Sequence, residues 1–164
     1  MGFESFQVTL SGGPFDPTEL DEVIRSLPGM RPDPEEGFMR GSYYVFEDGR
    51  HVVELHLSHE PVDLSCRFTL CHPDSIYSSF IGLLRLLVST TGMEVTIRDD
   101  VRPEHNHAFP PSEFSAFAAC LPGYIAVRRA DWIAGFGAER IAASSVECFQ
   151  RIILPRCQPL VVQS

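Results

Sequence analysis

The sequence predicts an α+β fold, a mainly antiparallel sheet of about five strands with helices on one face and a C-terminal helical extension. Three observations predict it. Several segments alternate apolar and polar residues as half-buried strands do. Two others place apolar residues at helical spacing along one stripe. Between two β-rich runs stands Asp48-Gly49, a hairpin-turn pair.

In residues 3–10, Phe6, Val8 and Leu10 fall on one side and Ser5, Gln7 and Thr9 on the other, until Gly12-Gly13-Pro14 ends the strand. Asp16-Pro17-Thr18-Glu19 then opens a helix, with Asp16 as N-cap, proline in the first turn and Glu19 placed for a capping box. Leu20, Val23, Ile24 and Leu27 form its apolar stripe, and Pro28-Gly29 stops it. Met30 to Gly41, with Pro32, Pro34, Glu35, Glu36 and Gly37, reads as an exposed acidic loop.

A two-residue type I′ turn at Asp48-Gly49 would set Phe46 opposite His51 and Tyr44 opposite Val53. Tyr44, Phe46, Val53, Leu55 and Leu57 then face the core, and Tyr43, Val45, Val52, Glu54 and His56 face outward. A third strand, Leu64 to Cys71, turns Leu64, Cys66, Phe68 and Leu70 inward and completes a meander. His72-Pro73-Asp74 opens a second helix through Ile76, Phe80, Leu83, Leu84 and Leu87, which Thr90-Thr91-Gly92 closes. Met93, Val95 and Ile97 mark another strand.

The resulting order, β-α-β-β-β-α-β, is similar to a ferredoxin-like split unit with an added strand. Beyond it the pattern predicts a polar loop from Asp99 to Pro111, a helix from Ser112 to Leu121, an extended piece from Tyr124 to Arg128 and a last helix from Ala138 to Leu154. At 164 residues, one domain spanning 1–164 is expected.

Lysine is absent, so all 13 basic side chains are arginine, which excludes Schiff-base chemistry and a phosphate-loop lysine. Asparagine occurs once, at Asn106, and both residues have A/T-rich codons. A GC-rich coding bias accounts for the pair; avoidance of lysine-directed modification is the other reading. The negative excess is local: residues 1–63 hold 13 acids against four arginines, and the remainder holds nine against nine. With no basic stripe, neither nucleic acid nor an anionic membrane is an expected partner. No apolar run is long enough to span a bilayer and no basic leader precedes an apolar stretch, so a cytoplasmic protein is expected. Five cysteines, odd in number and without a C-x-x-C pair, point to reduced thiols.

Two functional readings follow. The first is a protein-binding module without catalysis or cofactor, whose acidic N-terminal part docks a basic partner. Asp21, Glu22, Asp33, Glu35, Glu36 and Glu54 would supply the charge, and Phe38, Met39 and Tyr43 the apolar anchors. By composition this profile is similar to that of small acidic antagonists, including immunity proteins that neutralise nucleic-acid-cleaving toxins. The second is a metal-dependent, hydrolase-like enzyme in which Asp99, Glu104, His105 and His107 ligate zinc or manganese.

Lesser candidates are Cys71 beside His72 at a strand-to-helix junction, and Arg128-Arg129 near Asp131 and Trp132, a grip for an anion or a solvated pair. His51, His56 and His59 are split between sheet faces and read as surface and strand-end residues. Outward Val45 and Val52 suggest a homodimer or a covering element.

Overall fold

The computed structural model describes residues 5–33, 40–70, 72, 74–98, 104 and 106–137. The elements run β1 (Ser5–Ser11), α1 (Pro17–Ser26), β2 (Met30–Pro32), β3 (Ser42–Glu47), β4 (Val52–His59), β5 (Val62–Thr69), α2 (Ile76–Thr91), β6 (Glu94–Ile97), β7 (His107–Phe109) and α3 (Phe114–Phe136). One antiparallel seven-stranded sheet, in the order β2-β3-β4-β5-β1-β6-β7, carries the three helices. Its register stacks like residues on one face. Tyr44, Leu55, Cys66, Val8 and Ile97 form one cross-strand row, and Leu57, Leu64, Leu10, Val95 and Phe109 another. Buried residues of all three helices join these rows in one apolar cluster.

The α+β class holds, but about five strands become seven, so the ferredoxin-like order is not reproduced in detail. The chain order becomes β-α-β-β-β-β-α-β-β-α, with β1 antiparallel to both its neighbours, β5 and β6. The added strands, β2 and β7, lie inside segments expected to be loops. Each is three residues long, too short to show alternation, and is defined only by its partner. Pro32 is tolerated because β2 is an edge strand.

Helix α1 begins as its sequence dictates. The Asp16 carboxylate accepts the amides of Thr18 at 2.8 Å and Glu19 at 2.9 Å, and the Asp16 amide returns a bond to Glu19 at 3.1 Å. Helix α2 ends at Gly92, whose φ of 70° is open to glycine and whose amide bonds the Val88 carbonyl at 2.9 Å.

Two local expectations are corrected. The β3–β4 turn is centred on Gly49-Arg50, so Phe46 faces Val53 and Tyr44 faces Leu55. Gly49 takes the positive φ of 85°, while the Asp48 carboxylate folds back onto the amides of Arg50 and His51 at 3.0 and 2.8 Å. The shift is two residues, so every side chain keeps its predicted face.

The second correction concerns Tyr124 to Arg128, which is helical rather than extended: α3 runs unbroken through Pro122. Phe117, Leu121, Ile125 and Trp132 continue one buried stripe across the proline, and that packing offsets the lost amide bond. The predicted last helix, Ala138 to Leu154, lies outside the described residues.

On the opposite sheet face Val45 and Val52 are 6% and 1% exposed, so neither offers an open apolar patch for a dimer. Among the described cysteines, Cys66 is buried and its thiol pKa is pushed up by that burial, whereas Cys120 is exposed. Maleimide should therefore modify Cys120 in the native protein and reach Cys66 only after unfolding, as peptide mass mapping would read. Equal labelling of both would contradict the packing of β5.

Candidate functional site

The predicted docking carboxylates divide into occupied and open groups. Asp21 accepts from Arg25 at 2.6 Å and from the Tyr44 hydroxyl. Burial opposes ionisation of Asp21, but these two donors outweigh it and lower its pKa. Burial together with the Asp21 hydrogen bond pushes the Tyr44 hydroxyl up to about 12. Glu54 receives two donors from Arg67 across the β4–β5 pair, one of them at 2.8 Å, and Glu47 pairs with Arg31 at 2.7 Å. These carboxylates brace the sheet. Glu22 is exposed, Asp33 is half-buried with its amide on the Tyr43 carbonyl, and Tyr43 itself packs on the His56 ring, with centroids 4.5 Å apart. Glu35, Glu36, Phe38 and Met39 lie outside the described residues.

A second set of acids meets through register rather than sequence. Ser11, at the end of β1, pairs with Asp63 on one side and Glu94 on the other. Glu60 lies in the turn entering β5, Asp16 and Glu19 open α1 just after β1, and Glu113 precedes α3 just after β7. Antiparallel connectivity brings all six to one end of the sheet, where Asp16, Glu19, Glu60 and Glu113 are exposed. Among the described residues Glu60, Asp63, Glu94 and Glu113 have no arginine partner. This acidic pole includes Glu94 and Glu113, which lie outside the N-terminal acidic run.

At the opposite end, the β3–β4 turn meets the start of α2. His51 is only 4% exposed. Its Nδ1 lies 2.9 Å from Asp48 Oδ2, and its Nε2 lies 2.7 Å from Ser75 Oγ. Ser79 adds a hydroxyl bond to Asp48 and lies 3.0 Å from His51 Nδ1. Burial opposes ionisation of Asp48, yet the donors Ser79 and His51 and two turn amides hold its carboxyl well below the usual range. His72 stands beside this group, with ring centroids 6.1 Å from His51, and burial lowers its pKa to about 4.

The reading of His51 as a surface histidine is thus corrected. Asp48 and His51 sit three apart on a tight turn, which was a local signal. Ser75 lies 24 residues further on, and only the crossing of α2 over the turn brings it in.

A cavity of about 600 Å³ opens between α3 and the sheet, walled by Phe6, Ile97, Tyr124 and Val127. Glu104 and His107 line it, while Asp99 and His105 lie outside the described residues. Among the described residues no three His, Cys, Asp or Glu side chains gather as metal ligands. Arg128 and Arg129 form a clasp rather than an anion grip. Arg128 reaches the Ser5 carbonyl at 3.3 Å, and Arg129 bonds the carbonyls of Leu70 and His72 and pairs with Asp74. Cys71 is outside the described residues. Among those described, no helix is long and apolar enough to cross a membrane.

No protein-family model, curated protein or solved structure matches the chain.

Proposed function

We propose that the protein is a binding module that captures a basic protein partner through its acidic pole, an antagonist or immunity-type role in which capture involves no chemical step. The observation that carries this reading is the gathering of Asp16, Glu19, Glu60, Asp63, Glu94 and Glu113 at one end of the sheet. Asp21 and Glu54, tied to Arg25 and Arg67, serve as scaffold rather than as docking charge. Glu22, exposed on α1, extends the surface. Charges of one sign at one pole steer a cationic partner and accelerate encounter more than they deepen affinity.

The metal-dependent alternative has, among the described residues, Glu104 and His107 lining one cavity, and the gathering of the six pole carboxylates favours the first reading.

The missing lysine makes the test clean. Carbodiimide coupling joins a carboxylate to an amine with loss of water, and this chain's only competing amine is its N-terminus. With a polylysine peptide as probe, adducts should concentrate on the six pole carboxylates and fade at high salt. Replacing Glu60 and Asp63 together by arginine should slow association on the order of tenfold. Adducts spread evenly over all carboxylates, or an association rate untouched by the double variant, would count against the pole.

A further inference from the structure

We infer that Ser75 is an activated nucleophile, with His51 as its general base and Asp48 as the positioning residue, able to accept an acyl group from a small carboxylic ester. This goes beyond the docking reading and is independent of it.

Ser75 stands at the start of α2 with helical backbone angles, φ -59° and ψ -20°, so its hydroxyl is not placed to accept a first-turn amide and makes no capping bond. Its hydroxyl lies instead 2.7 Å from His51 Nε2.

The tautomer follows from the partners. A carboxylate 2.9 Å from Nδ1 holds the proton there, which leaves the Nε2 lone pair free to accept the Ser75 proton. Asp48 stays ionised because Ser79, His51 and two turn amides all donate to it. Burial fixes the ring between turn and helix, while Ser75 itself is exposed to an incoming molecule. A base touching the nucleophile and a carboxylate orienting the base are the roles that define serine acyl transfer, independent of chain order. The positive end of the 16-residue helix α2 adjoins the point where negative charge would develop.

The step balances without a cofactor. Ser75 Oγ bonds to the ester carbonyl carbon as its proton passes to His51 Nε2. The carbon–alkoxide bond then breaks, and the alkoxide leaves with that proton as the alcohol. Water attacks the acyl-serine, gives a proton to Nε2, and Ser75 Oγ recovers it, so ester and water become acid and alcohol.

The test uses the full chain. A fluorophosphonate probe, which loses fluoride on bonding to an activated serine, should label native Ser75 at one equivalent. Labelling should run about 100-fold faster than in the urea-unfolded chain, within the range general-base assistance supplies. Ser75→Ala should remove the adduct and the hydrolysis of p-nitrophenyl acetate, and Ser78→Ala should keep both. His51→Gln, checked for folding by circular dichroism, should lose labelling while leaving Ser75 in place. Native labelling no faster than unfolded, or an adduct that persists in folded His51→Gln, overturns the proposal and leaves the cluster as a clamp between turn and helix.

Discussion

Phe80→Ala is expected to destabilise the fold by about 3–5 kcal/mol, the cost of deleting a buried aromatic ring and leaving part of its volume empty. Phe80 is 0% exposed on the inner face of α2. Its ring meets Phe68 edge-on at 4.8 Å and Phe6 at 6.5 Å, so it joins the helix to two neighbouring strands at once. Those strands form the centre of the sheet, and no flexible side chain among these partners can collapse into the gap. Urea denaturation should show the loss as a lower midpoint at unchanged slope. Leu86→Ala, on the exposed side of the same helix, should change stability by less than about 1 kcal/mol. A Phe80 variant as stable as the Leu86 variant would mean that α2 is not seated on the sheet as described.

Acid should weaken the protein over a definite window, with His72 as the cause. Its pKa is lowered from 6.5 to about 4, chiefly by burial and then by nearby His51, against the upward pull of a Val52 backbone bond and the Asp48 charge. The unfolded chain therefore binds a proton at this site before the folded chain does. Stability is complete above about pH 6.5 and declines as pH falls toward about 4, by about 3 kcal/mol.

The carboxylates do not confuse this window. Asp21, Asp48 and Asp74 are all depressed below 3.8, so their contributions are present above that value and are lost only at lower pH. His72→Gln should flatten the dependence of unfolding free energy between pH 6.5 and 4. A slope that survives the substitution would assign the effect to another group.

Periodicity and caps were legible because the forces behind them act within a few residues. Asp16 and Glu19 find each other within one turn, and the stripe of α2 is set by 3.6-residue geometry whatever lies opposite. Alternation likewise assigned Phe6, Val8, Leu10, Leu55, Leu64, Cys66 and Phe68 to the core face, and an even register shift left that assignment intact. The errors arose where the deciding partner was distant. Met30–Pro32 and His107–Phe109 become strands only beside β3 and β6, and Pro122 stays helical because Phe117, Leu121 and Ile125 are already held by the core.

The candidate sites lay further from view, since their members share no stretch of chain. By itself the sequence determined the α+β class, the inward faces of the main strands, the start of α1 and the end of α2, and the negative excess of the first 63 residues. Tertiary structure alone decided which acids Arg31 and Arg67 neutralise, which ones meet beside Ser11, and that Ser75 comes to rest against His51. The physical reason is reach. A turn of helix or a pleat reads its neighbours along the chain, whereas an ion pair or a proton relay depends on distances in space that strand register and helix crossing set.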